Sequence, residues 1–456
     1  TVGINQNLCA PPGNVCLGNA LPKEECGMPA LMLIALAAVL LWSLVSHRFE
    51  RWGVAGPAVL VVLGAAATVW DLPAYAAVLD APSSEKIVEV ILAIVLFVDA
   101  TEVQGGILGR DPRVTLRLVL IGLPLSLILA AVATYLLIPD AFLLIGVIAC
   151  VIMPTDFAPA SRILRLAHVP SRVRQILNVE SGYNDGLIAP LFGMALPMAV
   201  ALTTVLHAKP NDNQDAMLSA HFHETADAFL NAVPASVVAI VVGVVLGGVV
   251  GAAVRILRRR GIANDAGVRF VMLLLPLISY GVATIPVFNA NGFVAAFVAG
   301  LMYRIARTRG QSERTIPHTE LLLVDEIGVL TTSVVWFMLG GAALLAFTSA
   351  FDWRVLVLAI LALTVLRIIP VYLSLLGKSV GRRDRLLIGA LGPRGTATIV
   401  FGLLAYNALP DDEGNLVLLV TVVTVVGSVL LHGVAAPLLL RRISPVDEVH
   451  STELAH

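Results

Sequence analysis

Thirteen apolar runs, most of them about as long as a bilayer is thick, recur along this chain with short polar connections between them. They lie near residues 30–46, 54–70, 87–108, 114–137, 141–160, 174–206, 232–256, 268–287, 289–303, 320–347, 354–377, 385–408 and 415–440. Inside a membrane no water satisfies backbone N–H and C=O groups, so runs of this length must be helical. The chain is 58% hydrophobic and only 13% charged, with a mean hydropathy of +0.90, which excludes an ordinary soluble enzyme. The shorter runs, 141–160 and 289–303, fit half-spans or strongly tilted helices. The fold class is therefore an all-α polytopic membrane protein of about 13 transmembrane helices.

The distribution of charge orients it. Of the 30 Lys and Arg residues, 24 fall in alternate connections and four (Lys23, Lys86, Lys209 and Arg354) in the others, while Arg367 and Arg394 fall within apolar runs. By the positive-inside rule the richer connections are cytoplasmic, giving an N-terminus outside and a C-terminus inside, in a cell membrane of the bacterial inner-membrane type. Residues 1–29 form an extracytoplasmic segment without the pattern of a cleavable signal peptide. Residues 441–456 form a short cytoplasmic tail. Cys9, Cys16 and Cys26 would lie outside, where a disulfide can form, and spacing does not choose the pair. Cys150 reads as a small packing residue. A net charge of −1 and the lack of a basic patch with interleaved aromatics argue against a nucleic-acid partner.

One polar string breaks the apolar pattern. Residues 178–186 read Asn-Val-Glu-Ser-Gly-Tyr-Asn-Asp-Gly, and the apolar sequence resumes at once with Leu187. On a helix, Glu180 and Ser181 share a face with Asn184 and Asp185. Carboxylates at membrane depth cost several kcal/mol, so this string predicts an ion-binding site rather than a turn.

Two further interruptions occur, at Met153-Pro154-Thr155-Asp156 and at Gly392-Pro393-Arg394-Gly395-Thr396. Pro154 and Pro393 are 239 residues apart, and Phe97 and Phe337 are 240 apart. A near-constant offset predicts two inverted six-helix repeats with broken helices that cross at the midplane. The first repeat is residues 30–206, the second 268–440, and residues 207–267 supply an external loop and a linker helix. Crossed breaks bring helix ends of like sign together. Asp156 suits facing N-termini, and a basic group would suit facing C-termini.

Taken together, the strings Leu-Phe-Val-Asp-Ala-Thr at 96–101, Pro-Thr-Asp at 154–156, the Glu-Ser…Asn-Asp string and Gly-Pro-Arg-Gly-Thr at 392–396 resemble the monovalent cation/proton antiporters. The similarity is to the electroneutral branch related to NhaP and the animal sodium/proton exchangers. The resemblance implies a thirteen-helix homodimer in which a core domain moves against a dimerisation domain. It assigns the ion and proton site to Asp185 with Ser181, Asn184 and Thr155, so that Asp185, Ser181 and Thr155 hold the transported cation. It assigns Glu180, Arg394 and Asp156 to a structural charge network in which Arg394 pairs with Glu180, and it puts Asp99 at the acidic position of the third helix. Phe157 departs from the Pro that many relatives carry there. In relatives with Asp in place of Asn184, transport is electrogenic.

Chemically, exchange needs one site that holds a proton or a cation but never both. A desolvated carboxylate serves, because burial disfavours its charged form and a bound cation restores it. Hard monovalent cations prefer oxygen ligands. Since the Asn184 amide cannot titrate, one carboxylate exchanges one proton for one cation. The function expected is electroneutral exchange of H⁺ for a monovalent cation (Na⁺ first, Li⁺ or K⁺ otherwise) by alternating access, with small ions and the lipid bilayer as partners and no cofactor. An ion channel or ion-sensing receptor on the same fold is the alternative, and a membrane-embedded enzyme the second. Arg367 is expected to pair with Asp325 or Glu326, or else to snorkel at a helix edge. His207, His221 and His223 fall in the expected external loop 207–227, where a zinc site is a minor alternative to plain solvation.

Overall fold

The computed structural model describes residues 23–52, 55–103, 108–157, 169–207, 214–311, 315–349, 351–377 and 380–436, and the regular elements among them are helical. In chain order they are α1 (Lys23–Trp52), α2 (Gly56–Thr68), α3 (Leu72–Leu79) and α4 (Pro82–Glu102). Next come α5 (Pro112–Leu137), α6 (Pro139–Ile152), α7 (Ser171–His207), α8 (Gln214–Arg259), α9 (Asp265–Thr284) and α10 (Gly292–Arg307). The last five are α11 (His318–Ser349), α12 (Trp353–Ser374), α13 (Arg382–Ala390), α14 (Thr396–Ala408) and α15 (Asp412–Ala435).

Among the described residues seven helices are long and apolar enough to cross a membrane, or eight if α2 and α3, bent by 118° at their junction, form one span. This is an all-helical polytopic membrane fold. Each of the thirteen apolar runs contains helix, but α3 was not among them. It is a separate short helix because Asp71 caps it, its carboxylate accepting from Ala74 N–H at 3.0 Å, with Pro73 preset for its first turn. Residues 214–227, expected within an external loop, belong instead to the 46-residue α8. Their polarity suggested a loop, yet the stretch holds no Gly or Pro before Pro234, and nothing in it stops a helix. Cys9 and Cys16 and the side chains of Cys26, His207, His221 and His223 lie outside the described residues.

Helices pack here backbone to backbone where small residues recur every fourth position. Gly243, Gly247 and Gly251 of α8 face Ala295, Ala299 and Tyr303 of α10, and a Cβ on Gly247 would lie 2.8 Å from Ala299 Cα. Gly64 of α2 and Gly340 of α11 make a second such crossing, a Cβ on Gly340 falling 2.9 Å from Gly64 Cα. Lipid offers no hydrophobic drive between helices, so close van der Waals approach supplies the affinity. Gly247→Leu is therefore expected to cost at least about 1–3 kcal/mol, the range for overpacking. Gly248→Leu should be tolerated, because a Cβ there meets nothing within 4 Å. Melting curves of the two variants in detergent decide it; equal curves would refute a tight α8–α10 seam.

Three interruptions position polar groups. After α6, residues 153–157 are non-helical, and so are residues 391–395 between α13 and α14. The two stretches touch: Asp156 N–H donates to the Pro393 carbonyl at 2.9 Å. α12 breaks at Thr364 (φ −126°, ψ −92°), four residues after its hydroxyl's acceptor, the Ile360 carbonyl. Lastly, α15 ends in a π-helical turn, Val429–Ala435, a widening of the kind found at functional sites.

Candidate ion-binding site

α7 passes the crossed stretches with its polar face toward them. The Ser181 hydroxyl donates a short hydrogen bond to the Thr155 carbonyl. Asn184 Nδ2 donates to Thr155 Oγ1 at 3.0 Å and to Glu180 Oε1 at 3.1 Å. One turn of helix thus clasps the non-helical stretch through a single threonine. Non-helical backbone leaves carbonyls without helical partners, tolerated at depth only where they line a cavity or meet another group. Here the meeting group is supplied by α7.

Asp185 is 2% exposed, and among the described residues neither its Oδ1 nor Oδ1 of Asn184 beside it has a hydrogen-bond partner. Asp99, Asp156 and Arg394 are the charged side chains that act on Asp185. Asp99 packs against α7 at Gly182, where a Cβ would lie in ordinary contact, 3.5 Å from Asp99 Cβ. The structure thus brings Asp185, Asn184, Ser181, Thr155, Asp156 and Asp99 into one neighbourhood.

Asp156 sits where the second break begins its inner helix. Its Oδ2 accepts from Thr396 N–H at 2.6 Å, at the N-terminus of α14. Gly395 permits the approach, since a Cβ there would lie 2.8 Å from Asp156 Cγ. A carboxylate on a helix N-terminus is favoured by both the free N–H groups and the helix dipole.

Two expected pairings are corrected. Glu180 does not meet Arg394; it is held by Arg367, whose two terminal nitrogens donate to Oε1 at 2.9 Å and Oε2 at 2.8 Å. Arg367 accordingly does not pair with Asp325 or Glu326. The break at Thr364 sets the following turn of α12 against α7, and the guanidinium fork matches a carboxylate edge. Arg394, fully buried, is spent on backbone carbonyls: Ile152 at 2.6 Å, Gly392 at 2.6 Å and Ala362 at 3.1 Å. Those carbonyls belong to the end of α6, the second non-helical stretch and the α12 break. Arg394 is thus the basic counterpart of Asp156, satisfying helix C-termini as Asp156 satisfies an N-terminus.

Sequence reading missed His432. The Arg394 N–H donates to Ser428 Oγ at 2.7 Å, which lies 3.3 Å from His432 Nδ1, while Nε2 lies 3.1 Å from the Ala390 carbonyl. The Ala390 carbonyl can only accept, so Nε2 carries the hydrogen of that contact, while Nδ1 and Ser428 Oγ share the other. This chain ties both ends of the second break to α15. A Ser and a His four apart in an apolar run were visible in the sequence as an intramembrane polar pair.

A cavity of about 10 Å³ touches Ser126, Met153, Glu180, Asn184, Arg367 and Arg394. A larger hollow of about 320 Å³ runs along the start of α7, past Arg110, Thr115, Arg174, Gln175, Asn178 and Val179. It ends at Val179, the residue before Glu180. Among the described residues no group of three or more His, Cys, Asp or Glu is arranged to hold a metal ion.

The sequence matches the family model for the transmembrane sodium/hydrogen exchanger over residues 33–442. The fold is similar to that of the sodium proton antiporter MjNhaP1 from Methanocaldococcus jannaschii at pH 8, with a TM-score of 0.63 at 18% identity, covering 90% of this chain and 100% of that one. An electron-microscopy map of MjNhaP1 gives a TM-score of 0.65 at 18% identity, with 92% and 98% covered. No match was found among curated proteins. At such identity these likenesses bear on fold alone.

Proposed function

The chain belongs to the sodium/hydrogen exchanger family of monovalent cation/proton antiporters, and from that premise we propose that it exchanges one cation, Na⁺ first, for one H⁺ at Asp185. The observation that carries this reading is the buried Asp185 oxygen without a protein partner, beside Asn184 and next to the Ser181–Thr155 contact. Asp185, the Ser181 hydroxyl and the Thr155 carbonyl supply hard oxygen ligands for a small cation. Asn184 orients Thr155 and cannot titrate. Glu180 is tied up structurally, because Arg367 satisfies both its oxygens. Asp156 and Arg394 hold the crossed breaks, Asp99 lies beside Asp185, and neither these three nor Glu180 enters the stoichiometry.

Asp185 crosses the low-dielectric barrier only when a cation or a proton neutralises it, so both ligands promote the same movement and the empty carboxylate resists it. The reading extends to thirteen spans in two inverted repeats, supported by the contact between residues 240 apart at the breaks. It also extends to a homodimer working by alternating access, with its N-terminus outside and its C-terminus cytoplasmic, in a cell membrane of the bacterial inner-membrane type.

Proteoliposomes with an internal pH dye test it. Proton and cation contend for one carboxylate, so the apparent cation affinity should weaken as pH falls. Rate against pH should be bell-shaped, with an acidic limb that moves to lower pH as cation concentration rises. The basic limb reflects shortage of protons. An imposed membrane potential should leave the initial rate unchanged. A current that reverses with voltage, or an acidic limb insensitive to the cation, would refute the one-carboxylate mechanism.

A further inference from the structure

Away from the ion site, the C-terminal ends of α8 and α10 enclose a hollow of about 240 Å³ lined by Arg255, Arg258, Arg259, Arg307, Arg309 and Gln311. We propose that it is a binding site for a phosphate-bearing anion.

Five guanidinium groups converge there against two carboxylates. Glu320 takes Arg307 at 2.5 and 3.2 Å and Arg258 at 3.4 Å, and Asp265 also takes Arg258. Both carboxylates lie in first turns, of α11 and α9, where helix dipoles already favour negative charge. The C-terminal ends of α8 and α10 each offset about half a charge. The N-terminal ends of α9 and α11 add about half a charge each, so an excess of about three positive charges is left, enough for one phosphate monoester or two diesters.

Arg255, Arg259 and Arg309 have no ion pair among the described residues. Arg258 Nε is buried without a partner. Arg255 and Arg259 are also one turn apart on α8, a like-charge pair that destabilises a helix unless an anion lies between. A bias of basic residues to one membrane side explains their sidedness but not their convergence on one hollow.

Recognition would follow guanidinium geometry. Arg258 and Arg307 are held in place by carboxylates, so their remaining N–H groups are preset, and planar forks suit phosphate oxygens bidentately. Ile256 and Leu257, between Arg255 and Arg258 on α8, are exposed apolar side chains. They offer an acyl chain an apolar path past the guanidinium groups. A lipid headgroup and a free phosphate share the chemistry, and the test separates them.

Purified full-length protein is stripped of lipid in detergent and melted against phosphatidylglycerol, phosphatidylcholine or inorganic phosphate at constant ionic strength. A saturable rise in melting temperature is expected with phosphatidylglycerol and not with phosphatidylcholine; an equal rise with inorganic phosphate would assign the site to a soluble anion. Arg255→Gln/Arg259→Gln/Arg309→Gln should weaken the apparent affinity at least tenfold. Arg309→Gln alone, on an exposed residue beyond α10, should weaken it several-fold and guards against misfolding of the triple variant. An unchanged response in both variants, or no response of the unaltered protein to any anion, would overturn the proposal.

Discussion

Proteoliposomes carrying Asp185→Asn are expected to release no protons when sodium is added, at any pH, down to the background of protein-free vesicles. The amide keeps the volume and shape of the carboxylate, and the site around it survives: Ser181 still reaches the Thr155 carbonyl and Asn184 still holds Thr155 and Glu180. What disappears is the exchangeable proton and the charge that balances a bound cation. Stability should be equal or greater, because a buried carboxylate without a full set of partners has lost hydration and gained little for it. A variant that melts normally and transports nothing identifies Asp185 as the carrier. Retained exchange would reject it and turn attention to Asp99, the half-buried carboxylate beside it.

The second large effect concerns stability. Arg367→Ala leaves Glu180 as an unpaired charge, 3% exposed, and removing one partner of a buried pair costs about 3–5 kcal/mol. Glu180→Gln in the same chain should recover part of that loss, since an amide tolerates the site without a counter-charge. Arg394→Ala should also destabilise, but Glu180→Gln should not rescue it, because Arg394 satisfies carbonyls rather than this carboxylate. Melting of the single and double variants in detergent measures the coupling. If Glu180→Gln raises the melting temperature of Arg394→Ala and not of Arg367→Ala, the pairing described above is wrong.

Much of this was legible beforehand, for identifiable reasons. Apolar length specifies membrane helices, and the spacing within 180–185 puts Glu180, Ser181, Asn184 and Asp185 on one face. Pro154 and Pro393 located the breaks, because proline removes the donor that a continuous helix needs. The choice of arginine was not legible. Arg367 and Arg394 both lie in apolar runs, and which one reaches Glu180 depends on the break at Thr364, a residue with no helix-breaking signature. His432 escaped notice because its role is to connect segments about forty residues apart, from Ala390 to the π-helical turn. The helical start of α8 was read as loop on polarity alone, and polarity does not prevent a helix.

The contact between the two breaks has a consequence for biosynthesis. Asp156 obtains its backbone and carboxylate partners from Pro393 and Thr396, and the latter lies 240 residues further along. At a synthesis rate of about 5–20 residues per second, the ribosome needs roughly 12–48 s to make that stretch. Until then the nascent first half lacks both of these contacts. The proposed ligands Thr155, Ser181 and Asp185 lie close in sequence, but the backbone beside them is completed only by the second break. A truncated product ending before Gly392 is therefore an incomplete chamber rather than a weaker exchanger, and cellular quality control has a long interval in which to recognise it as unfinished.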